Sequence, residues 1–362
     1  MASIAARSFR SLSELRIEPA STITTVVGPN AAGKTNLLEA LYFALTGRSF
    51  RTGDRREMIA FGHALARSEA ELHDEQGGAY TLLGSVSRSE GRRHLLDGEA
   101  ADPATIARHR PHVAVFSPDR LALVKGPPGE RRAHLDGFIA SRWPARSDLR
   151  RVYGQALAQR NALLGRVAAG LAPAAELDAW DGTLAARAAA LTAARAEATS
   201  ELAEPFSTAA AELGLGEPAE LRYRPRSDSD PEAVRAGLAE RRESDLERGR
   251  TGWGPHLDEL ELSLEERSLR RYGSQGQQRA GLLALLFAEH AALLETAGAP
   301  PLMLLDDVMS ELDPEHRELL AERLDGAGQS LITAADESDL PRPARGHVVR
   351  MPAAAGPLAA VA

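Results

Sequence analysis

The sequence predicts an α/β fold of mixed sheets plus helices, with an α-helical arm domain inserted between the two halves of a head. Three features predict it. A β-branched run, residues 23–27, enters a glycine-rich turn that opens an apolar helix; such runs pack as buried strands. From about residue 277 strand and helix signals alternate again, as in a sheet covered by helices. Between these regions, residues 128–213 are rich in alanine and arginine, with apolar positions at helical spacing, and a polar loop at 227–231 precedes the close of the arm near residue 249. Residues 1–125 and 250–362 are therefore expected to form the head and 126–249 the arm.

Apolar side chains at 35–46 recur at helical spacing, and Gly47 stops that helix. Alternating segments at 69–73, 79–86 and 94–96 predict an antiparallel piece, and 112–116 a buried strand ending at Ser117-Pro118. In the arm, Leu177, Trp180, Leu184, Ala188, Leu191, Arg195, Ala198 and Leu202 step by three and four residues along one seam of a long helix. Residues 148–169 supply its partner and 170–173 the turn of a helical hairpin. The last third predicts a helix at 277–297, a strand at 301–305, a helix at 314–325, a strand at 330–334 and, from residue 351, a tail without regular structure.

The 362 residues include no cysteine, which removes disulfides, thiolate metal sites and cysteine nucleophiles. No stretch reaches the ~20 consecutive apolar residues of a membrane helix, and the N-terminus lacks a secretory pattern, so a cytoplasmic protein without membrane association is expected. A net charge of −8 argues against a uniformly basic nucleic-acid binder. Residues 1–162, however, carry 23 Lys+Arg against 17 Asp+Glu, or +6, and the remainder −14. Such asymmetry accommodates a basic face for phosphates, or charge spread over solvated helices. Lys34 and Lys125 are the only lysines, so nearly all positive charge is arginine. The histidines show no metal-ligand spacing, and no zinc site is expected.

Gly28-Pro29-Asn30-Ala31-Ala32-Gly33-Lys34-Thr35, continued by Asn36, matches the phosphate-binding P-loop. Its glycines let backbone N–H groups curl around a β-phosphate, Lys34 reaches the β and γ oxygens, and Thr35 ligates Mg²⁺. The helix N-terminus adds partial positive charge. ATP and Mg²⁺ are the expected cofactors. The apolar segment 302–305 then delivers Asp306 and Asp307. An acid at the C-terminal end of a buried strand can hold the metal, and a second can orient or deprotonate the attacking water, so Asp306 is the metal candidate and Asp307 the base candidate. Residues 274–279 (SQGQQR), which include the candidates Ser274, Gln275, Gly276 and Gln277, precede a strongly apolar helix and lie about 27 residues before the Asp pair.

That third segment resembles the signature motif of ABC-type ATPases, and Ser310-Glu311-Leu312-Asp313-Pro314 resembles their D-loop. Further matches are Phe9-Arg10, the P-loop running on through 35–52, and residues 115–136. With 159–164 (QRNALL), 254–256 (GPH) and 304–313 (LLDDVMSELD), they cover nearly the whole chain, which is similar to the RecF family of SMC-like ABC-type ATPases. The resemblance implies an ABC-type head whose Ser274–Gln277 segment completes the ATP site of a second copy. It implies an ATP-dependent homodimer that clamps gapped DNA, single- and double-stranded, and acts with RecR and RecO to load RecA in recombinational repair. ATP hydrolysis would be slow and serve as a switch.

Several positions depart from the family pattern. Ser11 stands where Asn is usual, Leu257 follows GPH where Arg is common, and Ile332-Thr333-Ala334 occupies the place of a switch histidine. Residues 112–125 contain no glutamine for a Q-loop, so weak hydrolysis is expected. For DNA the candidates are Arg48, Arg51, Arg55 and Arg56, and Lys125, Arg131, Arg132, Arg142, Arg146, Arg150 and Arg151 near the start of the arm. An ATPase subunit of a transporter and a nuclease-associated ATPase share the motifs and stand as alternatives.

Overall fold

The computed structural model describes residues 1–352 except 75, 216–217 and 298–299. The rest of the tail expected from residue 351 lies outside the described residues. By contacts the chain divides into two compact units, residues 1–120 with 293–362, and residues 121–292.

In chain order the first unit supplies β1 (Ser3–Phe9), β2 (Leu12–Ile17), β3 (Ile23–Val27), α1 (Lys34–Thr46), β4 (Leu65–His73), β5 (Ala79–Ser87), β6 (Gly91–Leu96), β7 (Glu99–Ala100), α2 (Pro103–His109) and β8 (Val113–Phe116). The second supplies α3 (Ala122–Lys125), α4 (Pro128–Arg142), α5 (Leu149–Ala168), α6 (Leu177–Glu212), β9 (Ala219–Arg224), α7 (Pro231–Glu240), α8 (Arg242–Arg248), β10 (Glu259–Leu264), β11 (Arg267–Ser268) and α9 (Leu269–Tyr272). The chain returns through α10 (Gln275–Ala297) to β12 (Leu302–Leu305), α11 (Pro314–Asp325), β13 (Ser330–Ala334) and β14 (Val348–Arg350).

The first unit holds two sheets. One is antiparallel, in the order β2-β1-β4-β5-β6-β7; the other is parallel, in the order β14-β3-β13-β12-β8. Helix α1 contributes Leu37, Leu38, Leu41, Phe43 and Leu45 to a core that includes Ile4, Ala66 and Leu82 of the antiparallel sheet and Val26, Leu304 and Leu331 of the parallel one. A helix apolar nearly all round is buried on several faces. Strand β3 and the helix at 314–325 occupy the ranges expected of them. The hairpin β1–β2 was not expected, because its alternation is short and its stability comes from pairing with β4, with Ile4 opposite Ala70.

In the second unit α5 and α6 form a helical hairpin, and Leu184, Ala188 and Leu191 of the predicted seam are buried with Tyr153 and Ala156 of α5. The α6 helix continues to Glu212 with Pro205 inside it. Residues 250–292 fall in this unit because β10 pairs antiparallel with β9, setting Leu262 opposite Leu221, and α4 packs on β10.

The segments 159–164 and 254–256 also meet inside it. Arg160, fully buried, donates to Asp181 (2.7 Å), Asp245 (2.7 Å) and Thr251 (2.8 Å), and Thr251 donates to Asn161 Oδ1 from its backbone N–H (2.8 Å) and hydroxyl (2.7 Å). His256 contacts the Tyr153 hydroxyl (2.6 Å) and the Thr251 carbonyl (3.1 Å), and burial holds its pKa below the usual histidine value. A second buried cation, Arg195, bonds Asp136 in bidentate fashion (2.8 and 3.0 Å) and Asp258 (2.9 Å). Removing one partner from such a network leaves an uncompensated buried charge. Asp245→Ala is expected to destabilise the protein by about 3–5 kcal/mol, read as a lower urea midpoint.

Candidate nucleotide-binding site

Residues 28–36 form the turn between β3 and α1. Ala31 (φ 67°) and Gly33 (φ 96°) both take left-handed backbone, which aims successive N–H groups toward one concavity. At Gly28 a Cβ would lie 2.8 Å from the Met351 carbonyl oxygen, so only glycine fits there. Pro29 and Asn30 form the loop's crown and Ala32 packs into the core below it. Lys34, nearly buried, donates from Nζ to the carbonyls of Gly28 (2.6 Å) and Pro29 (3.1 Å), which holds the ammonium inside the loop where phosphate oxygens would meet it.

Parallel pairing of β12 between β8 and β13 brings the acidic pair to the same place. The Thr35 hydroxyl lies 2.9 and 2.8 Å from the two Asp306 carboxylate oxygens, and Thr333 Oγ1 donates to Asp306 Oδ1 at 2.8 Å. Burial raises the Asp306 pKa above the usual carboxylate value and the charge of Asp307 adds to this, opposed by the Thr333 and Thr35 hydroxyls and by Arg51. Asp307 is in the left-handed region (φ 50°), with its N–H on Thr333 Oγ1 (2.8 Å), and its Oδ1 is buried with no hydrogen-bond partner. An orphaned acceptor beside the metal candidate is what a group that takes a proton from water requires.

Thr35 and Asp306 offer hard oxygen donors in contact with each other. Among the described residues no group of three or more His, Cys, Asp or Glu forms a self-sufficient metal cage. This donor set fits Mg²⁺, which is usually held by one or two protein oxygens together with substrate phosphates and water.

Asn36 and Glu39 anchor the first turns of α1. Glu39 is fully buried and accepts from Arg10 Nε and Nη2 (2.9 and 2.8 Å), Arg51 Nη1 (3.2 Å) and the Ser49 hydroxyl (2.5 Å). Arg51 also donates to Asn36 Oδ1 (2.9 Å), whose Nδ2 donates to Ser11 Oγ (2.7 Å). Ser11 thus has a hydrogen-bonding role in place of the usual Asn. Sequence reasoning did not assign Thr333 or Glu39 to the site; a threonine at the end of a strand beside the Asp-bearing strand was the available signal.

Ser274, Gln275, Gly276 and Gln277 lie in the second unit at the N-terminus of α10. The Ser274 N–H donates to Gln277 Oε1 (2.9 Å) and the Gln277 N–H to Ser274 Oγ (3.2 Å), a reciprocal capping box. Ser274, Gln275 and Gly276 are exposed, and a Cβ at Gly276 would meet only Ser274 Oγ at 3.9 Å. In the D-loop segment Asp313 caps α11 through the His316 N–H (3.1 Å), and Ser310 Oγ donates to the Asp307 carbonyl (2.9 Å).

The model of the RecF/RecN/SMC N-terminal domain family matches residues 1–349. The chain belongs to this family. Within it the resemblance is to RecF: the DNA replication and repair protein RecF of Anaeromyxobacter sp. (strain Fw109-5) is 39% identical over 345 residues, 92% of each chain. A solved structure of the recombination mediator protein RecF with ATP, of the RecFOR pathway, is similar with a TM-score of 0.82 at 26% identity, over 94% of this chain and 92% of that one. An SMC head bound to the C-terminal winged-helix domain of ScpA, 16% identical over 94% of this chain and 90% of that one, has a TM-score of 0.56 and shares the fold. The expected ABC-type head fold and the RecF resemblance are both borne out.

The structure takes Arg131 out of the DNA candidates. Arg131 is 3% exposed, paired with Glu259 (2.7 and 2.9 Å) and bonded to the carbonyls of Leu123 and Gly126, so its guanidinium is consumed internally. Arg142 and Arg146 pair with Glu201 and Glu197.

A carboxyl whose pKa is raised by folding favours the folded state fully only below its unfolded value of about 3.9, and that contribution is lost as pH rises through the native value. At neutral pH the ionised Asp306 therefore weighs against the metal-free fold. Asp306→Asn is expected to raise the melting temperature of the nucleotide-free protein at neutral pH, with a gain that shrinks toward pH 4, while weakening Mg-nucleotide binding. Thermal melts across that pH range, with and without Mg-ATP, check both.

Proposed function

We propose that the chain is an ATP-gated DNA clamp of replication and recombinational repair, acting in the cytoplasm. The observation that carries it is the contact of Thr35 with Asp306 beside the orphaned Asp307 acceptor, at the mouth of a loop already folded around Lys34. Two copies hold two ATP molecules. Each is gripped by Gly28–Thr35 of one copy and capped by Ser274–Gln277 of the other, whose exposed, boxed helix start supports that role. Thr35 and Asp306 would hold Mg²⁺, which would supply charge neutralisation to the phosphates. Lys34 exchanges its loop carbonyls for phosphate oxygens, and Asp307 Oδ1 accepts the proton of the attacking water. Hydrolysis is slow, in keeping with the lack of glutamine at 112–125.

Closure clamps gapped DNA and hydrolysis releases it. RecO and RecR as partners rest on the relatives of the RecFOR pathway, and RecA loading as the outcome rests on the family resemblance of the motifs. Those relatives favour neither the transporter nor the nuclease-associated alternative. Among the described residues no helix is long and apolar enough to cross a membrane.

Sedimentation tests the clamp. Wild type is expected to dimerise with ATP and gapped DNA and to stay monomeric with ADP. Lys34→Ala should bind no nucleotide and remain monomeric. Asp307→Asn should bind ATP, accumulate dimers and hydrolyse about 10²-fold or more slowly. A wild type that is monomeric under every condition overturns the proposal.

A further inference from the structure

At the C-terminal end of α1, away from the nucleotide loop, the first unit gathers cations that the ATP site does not use. The helix has 13 residues, so its two ends are roughly 20 Å apart. At the far end Arg92 of β6 donates to the Gly47 carbonyl (2.6 Å), and His94 contacts the Ala44 carbonyl (2.5 Å). Arg48 and Arg55 follow in the exposed segment after α1, and Arg110 follows α2. Among the described residues no carboxylate pairs with Arg48, Arg55, Arg92 or Arg110, whereas Arg93 on the same strand pairs with Glu90 at 2.9 Å and Arg51 is taken by Glu39.

The guanidiniums lie within electrostatic reach of one another. Burial lowers the Arg92 pKa, and Arg55 and Arg48 lower it further. Burial likewise lowers that of Arg110, with Arg48 adding to the effect against Tyr42. Completing a helix C-terminus takes one cation at its last carbonyls, and Arg92 supplies it. The other three add repulsion and no internal bond to an acid. Uncompensated like charge of this kind is unfavourable in the free protein and becomes favourable when a polyanion covers it.

We infer that Arg48, Arg55, Arg92 and Arg110 form a phosphate-backbone contact site for duplex DNA, separate from the nucleotide loop and carried by the antiparallel-sheet side of the first unit. It rests on the DNA-clamp reading above and gives that reading a location. The site binds charge without reading sequence, because nothing in it beyond the guanidiniums and the neighbouring histidines would discriminate bases. Arg92 and Arg110, outside the segments that motif reasoning marked, join Arg48 and Arg55, while Arg51 is excluded by its bonds to Asn36 and Glu39.

The test is fluorescence anisotropy of duplex DNA with the full chain and ATP across a salt series. It compares wild type with Arg48→Ala/Arg55→Ala and Arg48→Lys/Arg55→Lys. Both residues are exposed and cap no helix, so folding is expected to survive, and a thermal melt confirms it. The alanine pair should reduce the magnitude of the slope of log affinity against log salt by about two units, at nearly one per lost phosphate contact. The lysine pair should keep the wild-type slope, and both should dimerise with ATP like wild type. An unchanged slope in the alanine pair overturns the inference and leaves the clamp intact. A wild type that dimerises with ATP but does not bind duplex DNA overturns both.

Discussion

A carboxylate buried without exposure in the second turn of a helix must be neutralised in place, and Glu39 organises its whole neighbourhood on that account. Its partners come from two segments: Arg10 from the β1–β2 turn, and Ser49 and Arg51 from the loop after α1. Arg10 is held in left-handed backbone (φ 53°), a conformation that an arginine keeps only where its surroundings over-determine it. Thr35 stands four residues before Glu39, on the same face of the helix. The ion pair that ties down the hairpin therefore also fixes the rotation of α1, and with it the direction in which Thr35 presents its hydroxyl to Asp306. Arg51 extends the same balance to Asn36 and Ser11.

The site is preorganised by letting its groups satisfy one another. Lys34 bonds loop carbonyls, Thr35 bonds Asp306, and Thr333 bonds both Asp306 and the Asp307 N–H. Only Asp307 Oδ1 is left without a partner among these groups. The first three contacts can be exchanged for phosphate and metal with little net loss of hydrogen bonding, which keeps the unliganded loop from collapsing. The cost is concentrated on the two adjacent acids, where burial and like charge both act on Asp306. Stability is thus lowest where charge must later be neutralised by a ligand, as expected of a binding site.

What the sequence disclosed follows from how local each signal is. Strand β3, its turn and α1 are contiguous, so the β-branched run, the glycines and the helical spacing lie within a few residues of one another. Asp306 and Asp307 were legible because an apolar strand runs directly into them. Thr333 was not, since its role depends on β13 lying parallel beside β12 with Leu305 opposite Ile332, a register no local pattern states. The same holds for β9 and β10, whose pairing joins Arg224 to Glu259 across 34 intervening positions. For the arm, the three- and four-residue steps of α6 marked its buried face, including Arg195, though not that this arginine would be neutralised by Asp136 and Asp258 from elsewhere in the unit.

Arginine composition is where sequence and structure differ most in what they can say. With only two lysines, the sequence cannot use residue type to separate structural cations from ligand-binding ones. Their partners can. Arg10, Arg131, Arg160 and Arg195 each meet a carboxylate in bidentate or paired geometry while largely buried, the use for which a planar, always-charged guanidinium is suited. Arg48, Arg55, Arg92 and Arg110 meet none, although the chain carries a net excess of acid. In a protein of charge −8, leaving several guanidiniums together without an acid is not forced by a shortage of carboxylates. Even the acids that flank Arg55 in sequence are engaged elsewhere, Asp54 with the Arg56 N–H and Glu57 facing Arg10, so the cluster stays positive.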